Sequence, residues 1–397
     1  MRPMPSPASP NRPVYLDNQA TTPCDPRVLA AMLPFFGERF GNPASVEHAL
    51  GRDAGAAVET ARAEVAALIG AEPREIVFTS GATESNNIAI KGAARFARDM
   101  DSPRRRVITL ATEHKCVLES VRSLAGEGCE PVVLPVRPDG LLDPEELARA
   151  LEVPTLLVSV MAANNETGVL QDLPAIAAQV KAAGALFHTD AAQGCGKIPL
   201  DVGCGIDLMS ISGHKIYGPK GIGALYVRRR PRVRLAPLFS GGGQERGLRS
   251  GTLAAPLIVG LGVAARLARA EMAEEAPRLA ALRERLLEQL LAGLPGLTVN
   301  GSRRARLAGN LNLTFPAVSA QALMAAVPEL CVSTGSACSS AEVAPSYVLH
   351  ALGLSDAAAA RSLRIGIGRF TSAADIDFAA AALIAAHRRL APSQSRT

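Results

Sequence analysis

From about Pro26 to about Ala270 the chain alternates short apolar runs with alanine-rich stretches whose apolar positions recur at helical spacing. The runs at 75–79, 107–110, 131–136, 155–160, 185–189, 208–212 and 224–227 are continuous, short and bounded by turn residues, which predicts buried strands. Segments 54–69, 84–98, 115–125, 143–151 and 172–183 predict the helices between most of them. That alternation is the pattern of an α/β fold, a mostly parallel sheet with helices on both faces. Ligands of such sheets bind beyond the carboxyl ends of the strands, where Ser80, Asn164, Asp190 and Ser212 fall. After Gly241-Gly242-Gly243, a leucine-marked helical stretch from about 257 to 291 predicts a link to a smaller α+β domain with strands at 297–300, 310–314, 331–333 and 363–367. The expected organisation is a proline- and serine-rich tail over 1–13, a large domain over 14–265 whose first residues join the small domain, a small domain over 266–390, and a tail over 391–397.

Composition narrows the class. With 397 residues, 48% of them hydrophobic and 20% charged, the chain can bury a large core. The net charge of +5 is slight and sits in short arginine clusters without interleaved aromatics, which argues against nucleic-acid binding. The 7 cysteines form no Cys-x-x-Cys pair and no disulfide framework, so a reducing compartment and no structural metal are expected. The most apolar window, 253–265, contains Pro256, Gly260 and Gly262 and is shorter than a membrane span of roughly 18 residues. A cytoplasmic protein without membrane association is the expectation.

Chemistry concentrates at the predicted strand ends. Lys215 closes the apolar run Leu208–Ser212 through Gly213-His214. A lysine in an apolar setting is suited to attack a carbonyl and hold it as a Schiff base. Asp190 ends another predicted strand, where a buried carboxylate needs a cationic partner. A protonated pyridine nitrogen is such a partner, and an aspartate with a Schiff-base lysine marks pyridoxal phosphate enzymes. Gln193, three residues on, can reach the ring's phenolic oxygen. Gly81-Ala82-Thr83-Glu84 opens a helix and offers backbone N–H groups to an anion, with Ser212 and His214 as further phosphate donors. His114, just past a strand, can stack on a ring and carry a proton. Asn164-Asn165 reads as a turn unless a polar cofactor lies beside it. Cys338 lies among glycine, serine and alanine in 333–340, a setting for an exposed nucleophilic thiol. Arg364 alternates with apolar neighbours and is poised to grip a carboxylate through paired hydrogen bonds.

Assembled, these segments resemble the cysteine desulfurases of the pyridoxal phosphate superfamily, over about residues 14 to 385. The motifs carrying the resemblance are Tyr15-Leu16-Asp17 with Ala20-Thr21-Thr22-Pro23, Phe78 to Asn87, Glu113-His114-Lys115, Asn164-Asn165-Glu166, Asp190-Ala191-Ala192-Gln193, Ser212 to Gly223, Gly241 to Thr252, and Gly335-Ser336-Ala337-Cys338. The resemblance implies a fold type I pyridoxal phosphate enzyme with a seven-stranded sheet. It implies Lys215 as the Schiff-base lysine, Asp190 on the pyridinium and His114 stacked on the ring. Ala82, Thr83, Ser212 and His214 would hold the phosphate, with Thr252 reaching over from the partner of a homodimer. Asn165 and Gln193 would face the ring oxygen and substrate, Arg364 the carboxylate of L-cysteine, and Cys338 would take the sulfur as a persulfide. Acceptors would be an iron–sulfur scaffold or another thiol protein, and Cys338 could transiently ligate a cluster there. A selenocysteine lyase or another class V aminotransferase is the alternative. Gln19 and Cys116 depart from the family pattern, without expected effect on the chemistry.

Overall fold

The structure, a computed structural model, describes residues 13–335 and 345–391. Cys338 and most of the two expected tails lie outside that range. The first unit runs β1 (Val14–Tyr15), α1 (Pro26–Met32), α2 (Ala49–Leu68), β2 (Ile76–Thr79), α3 (Ala82–Asp99), β3 (Arg106–Leu110), α4 (Lys115–Ser123), β4 (Glu130–Leu134), α5 (Pro144–Leu151), β5 (Thr155–Ser159), α6 (Leu173–Ala182), β6 (Leu186–Asp190), β7 (Leu208–Ser212) and β8 (Gly223–Val227). The second follows the long α7 (Ala255–Gly293) with β9 (Thr298–Val299), β10 (Asn310–Thr314), α8 (Ala320–Ala326), β11 (Leu330–Cys331), α9 (Tyr347–Ala351), α10 (Asp356–Ala359), β12 (Ser362–Gly366) and α11 (Ala373–Leu390).

All seven strands expected for the large sheet form, in the order β2-β8-β7-β6-β5-β3-β4. Only β8 runs against its neighbours, antiparallel to both β2 and β7. The central parallel strands are covered on both faces: Thr155–Ser159 and Leu208–Ser212 are buried throughout, whereas the edge strand β4 is partly exposed. The strand order reverses between β3 and β5, which opens a crevice at their carboxyl ends. Residues 111–114 and 160–165 leave the sheet there.

The helix α7 ties two cores together. Its first half places Ile258, Leu261 and Ala265 in the apolar cluster beneath the large sheet, and its second half places Leu286, Leu287 and Leu290 against β10 and β12. Gly262 lets α7 lie directly on α2, since a Cβ there would stand 2.5 Å from Ala61 Cα. In the second unit β10 pairs antiparallel with β9 and β12, while β1 pairs parallel with β11, so the start of the chain is stitched to its later half.

One buried ion pair fastens the segment before α7 to the first core. Both terminal nitrogens of Arg62 donate to the Glu245 carboxylate at 2.8 Å, and Glu245 Oε2 also accepts the Phe78 backbone N–H at 2.8 Å. The Arg62 guanidinium lies 4.6 Å from the Phe78 ring centroid. Glu245→Ala strands that guanidinium in the core, a change worth about 3 kcal/mol or more. The expected outcome is a thermal unfolding midpoint lowered by several degrees, whereas substitution of the exposed pair Arg39 and Asp53 leaves it nearly unchanged.

Candidate active site

Lys215 follows β7 on a short 3-10 turn, and the segment 19–22 straps over it. Lys215 Nζ donates to the carbonyl oxygens of Gln19 and Ala20 at 2.5 and 2.7 Å. Thr22 donates through both its N–H and its hydroxyl to the His214 carbonyl, each at 3.0 Å, and Thr21 Oγ1 lies 3.0 Å from His214 Nδ1. Burial, with the charge of Lys215 beside it, pushes His214 down to about 4, so its ring is neutral near pH 7.

Asp190 ends β6 one strand away and is 5% exposed. Its oxygens accept from Asn86 Nδ2 at 2.7 Å and from the Ala192 N–H at 2.9 Å. Both donors are neutral, and among the described residues Asp190 makes no ion pair. A buried carboxylate so placed lacks the cation that would balance it. Gln193 follows on the same turn, donating from Nε2 to the Gln19 carbonyl at 2.8 Å and accepting at Oε1 from Lys197 Nζ at 3.1 Å.

Helix α3 begins at the neighbouring strand end without a side-chain cap. Gly81 sits at φ 152° and ψ 179°, a conformation open to glycine alone. Gly223, paired with Ser212 across β7 and β8, carries no side chain, and a Cβ there would meet Gly81 Cα at 2.6 Å. The uncapped N–H groups around Ala82 and Thr83 therefore open beside Ser212. Uncapped N–H groups at a helix start are donors suited to an anion. Thr252 is exposed, three residues beyond Arg249, whose guanidinium pairs with Glu84 in the first turn of α3 at 2.8 Å.

His114 caps α4, its Nδ1 accepting from the Cys116 N–H at 3.2 Å. The neutral ring therefore carries its proton on Nε2. Cys116 Sγ lies 3.0 Å from the same Nδ1 and 3.1 Å from Asn86 Nδ2. Cys116 and Gln19, expected to leave the chemistry untouched, lie beside the candidate residues: the Cys116 thiol touches His114 and the Asn86 amide that holds Asp190, and the Gln19 backbone carbonyl, which any residue there would supply, receives Lys215 and Gln193. Contacts spanning up to 196 positions of sequence produce this, and no local pattern announces them.

The second unit contributes Arg364 from β12. Its Nη1 donates to the Asn165 carbonyl at 3.0 Å and its Nη2 to Asp17 Oδ1 at 2.7 Å. Arg364 Nε and Asn165 Oδ1 are buried with no partner in the structure. Asn164 is a turn former, its Oδ1 accepting from the N–H groups of Glu166 and Thr167 at 2.9 and 2.8 Å. Glu166 is buried against both Gly335 and Ser346, whose Oγ donates to its carboxylate at 2.5 Å. Burial raises the Glu166 carboxyl above its ordinary range, and raises Glu113 well above it. Asn86, Asp17, Thr21, Glu113 and Glu166 were not singled out as site residues, although each falls within or beside a segment that was. Lys215 and Gln193 meet on the Gln19 carbonyl, Gln19 Nε2 donates to the Gly309 carbonyl of the second unit at 3.4 Å, and Arg364 of that unit reaches Asn165 beyond β5. No helix among the described residues is long and apolar enough to cross a membrane.

The sequence matches the family model described as aminotransferase class-V over residues 14–378. It is 56% identical over 369 residues to the mitochondrial cysteine desulfurase of Arthroderma benhamiae, covering 93% of this chain and 73% of that relative. It is 53% identical over 368 residues to the cysteine desulfurase IscS of Rickettsia bellii, covering 92% and 89% respectively. Among solved structures, a NifS-like protein superposes with a TM-score of 0.88 at 36% identity over 95% of this chain and 100% of that one. SspA in complex with cysteine superposes with a TM-score of 0.78 at 39% identity over 89% and 98%.

Behind Asp190 on β6, His188 is fully enclosed between Ser159 Oγ at 2.8 Å and Ser210 Oγ at 3.0 Å. Burial pushes it from 6.5 down to about 4. The unfolded chain therefore binds a proton that the folded one refuses, so the stability present above pH 6.5 is lost as the pH falls toward 4, by on the order of 3 kcal/mol. His188→Asn is expected to flatten the fall of the thermal midpoint over that interval, and a slope parallel to the wild type would contradict the assignment.

Proposed function

Starting from a chain that belongs to the class-V aminotransferase family and, within it, to the cysteine desulfurases, we propose that it removes sulfur from L-cysteine with pyridoxal phosphate, leaving alanine and a persulfide on Cys338. The observation that carries this reading is a buried carboxylate, Asp190, with no cationic partner among the described residues, at the carboxyl end of the strand beside the one that leads to Lys215.

The residues fit the cofactor. Lys215 would hold its aldehyde, Asp190 its pyridine nitrogen, His114 one ring face, and Gln193 its ring oxygen. The open start of α3 at Ala82 and Thr83, with Ser212 and neutral His214, would receive the phosphate, and Thr252 would complete that cradle from the second subunit of a homodimer. When bound, pyridoxal phosphate supplies an electron sink that weakens bonds at the substrate's α- and β-carbons.

Arg364 binds the substrate carboxylate, with its unpartnered Nε and the adjacent Asn165 amide oxygen completing the polar lining. Its hydrogen bonds to Asp17 and to the Asn165 carbonyl hold the guanidinium from two sides. Lys215, released when substrate takes its place, moves the proton at the α-carbon. The Cys338 thiolate attacks the substrate sulfur and the C–S bond breaks, so that sulfur stays on Cys338 while the three-carbon remainder takes up protons and leaves as alanine. His114, its Nδ1 engaged by the Cys116 N–H, would use Nε2 to exchange a proton with the departing sulfur and the incoming thiol. The persulfide then passes to a thiol acceptor, an iron–sulfur scaffold or another sulfur carrier.

Borohydride reduction after addition of pyridoxal phosphate, followed by peptide mapping, is expected to place the adduct on Lys215. Cys338→Ala should keep the visible absorption of the loaded protein and lose alanine and sulfide release; unchanged turnover would refute the persulfide role. For Arg364→Lys the KM for cysteine should rise roughly ten- to hundred-fold, because a point charge cannot replace a guanidinium fork worth about 1.5–3 kcal/mol. An unaffected KM would place the carboxylate elsewhere.

A further inference from the structure

Lys197 lies four residues beyond Gln193 and lines a narrow cavity between the two units, together with Gln19, Tyr217, Glu275, Gly309 and Arg369. Its Nζ donates to Gln193 Oε1 at 3.1 Å. Gln193 Nε2 in turn donates to the Gln19 carbonyl at 2.8 Å, the same oxygen that accepts from Lys215 Nζ. An ammonium has three donors and no acceptor, and a peptide carbonyl has no donor. The two ends therefore admit one orientation of the Gln193 amide: oxygen toward Lys197, nitrogen toward Gln19. The reverse orientation would set donor against donor and acceptor against acceptor, each a buried clash of polar groups. A carbonyl oxygen has two lone pairs, so Gln19 can hold Gln193 while Lys215 comes and goes.

We propose that Lys197 is a positioning residue for the desulfurase site, holding the Gln193 amide oxygen so that its remaining N–H is presented to the anionic ring oxygen of the cofactor. The inference rests on the cofactor reading above. It explains why a lysine is kept in a cavity at some electrostatic cost: burial and the neighbouring charge of Lys215 push Lys197 down to about 7, with Glu275 opposing and Arg364 adding to that push. Unlike Lys215, Lys197 has no place at the reacting atoms. It acts through the amide in between.

The test is the pH titration of the visible band of the protein loaded with pyridoxal phosphate. A hydrogen bond donated to the ring oxygen favours the form in which that oxygen bears its full negative charge, the form present at high pH. Lys197→Met, which frees the amide to turn, should raise the titration midpoint by about one pH unit, the size of one charge-assisted hydrogen bond. Gln193→Ala alone should raise it similarly, and Lys197→Met in the Gln193→Ala background should add little. Lys197→Arg, still a donor without an acceptor, should stay near the wild-type midpoint. If the methionine variant does not accumulate folded protein, Lys197→Ala is expected to follow the same order. An unmoved midpoint in the single variant overturns the inference. So does an equal shift in both backgrounds, which would mark a bare charge effect or a packing role. A wild type that develops no visible band overturns the cofactor reading and this inference with it, whereas a normal band with an unmoved midpoint overturns this inference alone.

Discussion

Asp190 is a carboxylate buried at the end of a central strand and hydrogen-bonded, among the described residues, by an asparagine amide and a backbone N–H. Burial without a counter-charge is among the costliest arrangements a fold can keep, and a chain that could have placed a lysine or arginine beside it has instead supplied neutral donors. Those donors fix the carboxylate in place without neutralising it. In the proposed function that charge meets a cationic ligand, with an amine beyond the end of the next strand, an uncapped helix start farther along the sheet and the His114 imidazole set around it.

The second constraint is mechanical. In the proposed reaction substrate recognition falls to Arg364, which belongs to β12, yet its hydrogen bonds run to Asn165 beyond the end of β5 and to Asp17 near the start of the chain. Asp17 itself bridges to Gly366 in the same strand as Arg364. The pairing of β1 with β11 and the continuous helix α7 hold the two units in the register this contact needs. Glu166, one residue past Asn165, touches Gly335 and Ser346, the described residues on either side of the segment bearing Cys338. Recognition of the carboxylate and the anchoring of the thiol-bearing segment therefore share one short loop.

The architecture was legible because buried parallel strands are continuous apolar runs, and all seven were found within a residue or two of their ends. The functional side chains were legible for a related reason: a lysine or an aspartate at the carboxyl end of such a run is out of place as structure. What sequence spacing could not convey was convergence. Gln19 looks like an unremarkable polar residue in a turn, yet its carbonyl is the meeting point of Lys215 and Gln193. Cys116 looks like one more helix residue, yet its thiol reaches His114 itself and Asn86, the amide that holds Asp190. A backbone carbonyl has no sequence signature at all, and a thiol takes its meaning from neighbours that the chain brings in from 30 positions away.

The central claim is that Asp190 keeps a bound pyridine ring protonated, and the nitrogen itself can be observed. Protein loaded with pyridoxal phosphate labelled with 15N in the ring should show the chemical shift of a protonated pyridinium in the wild type and of an unprotonated ring in Asp190→Asn. An unprotonated nitrogen in the wild type, or a protonated one that survives the substitution, would contradict the account.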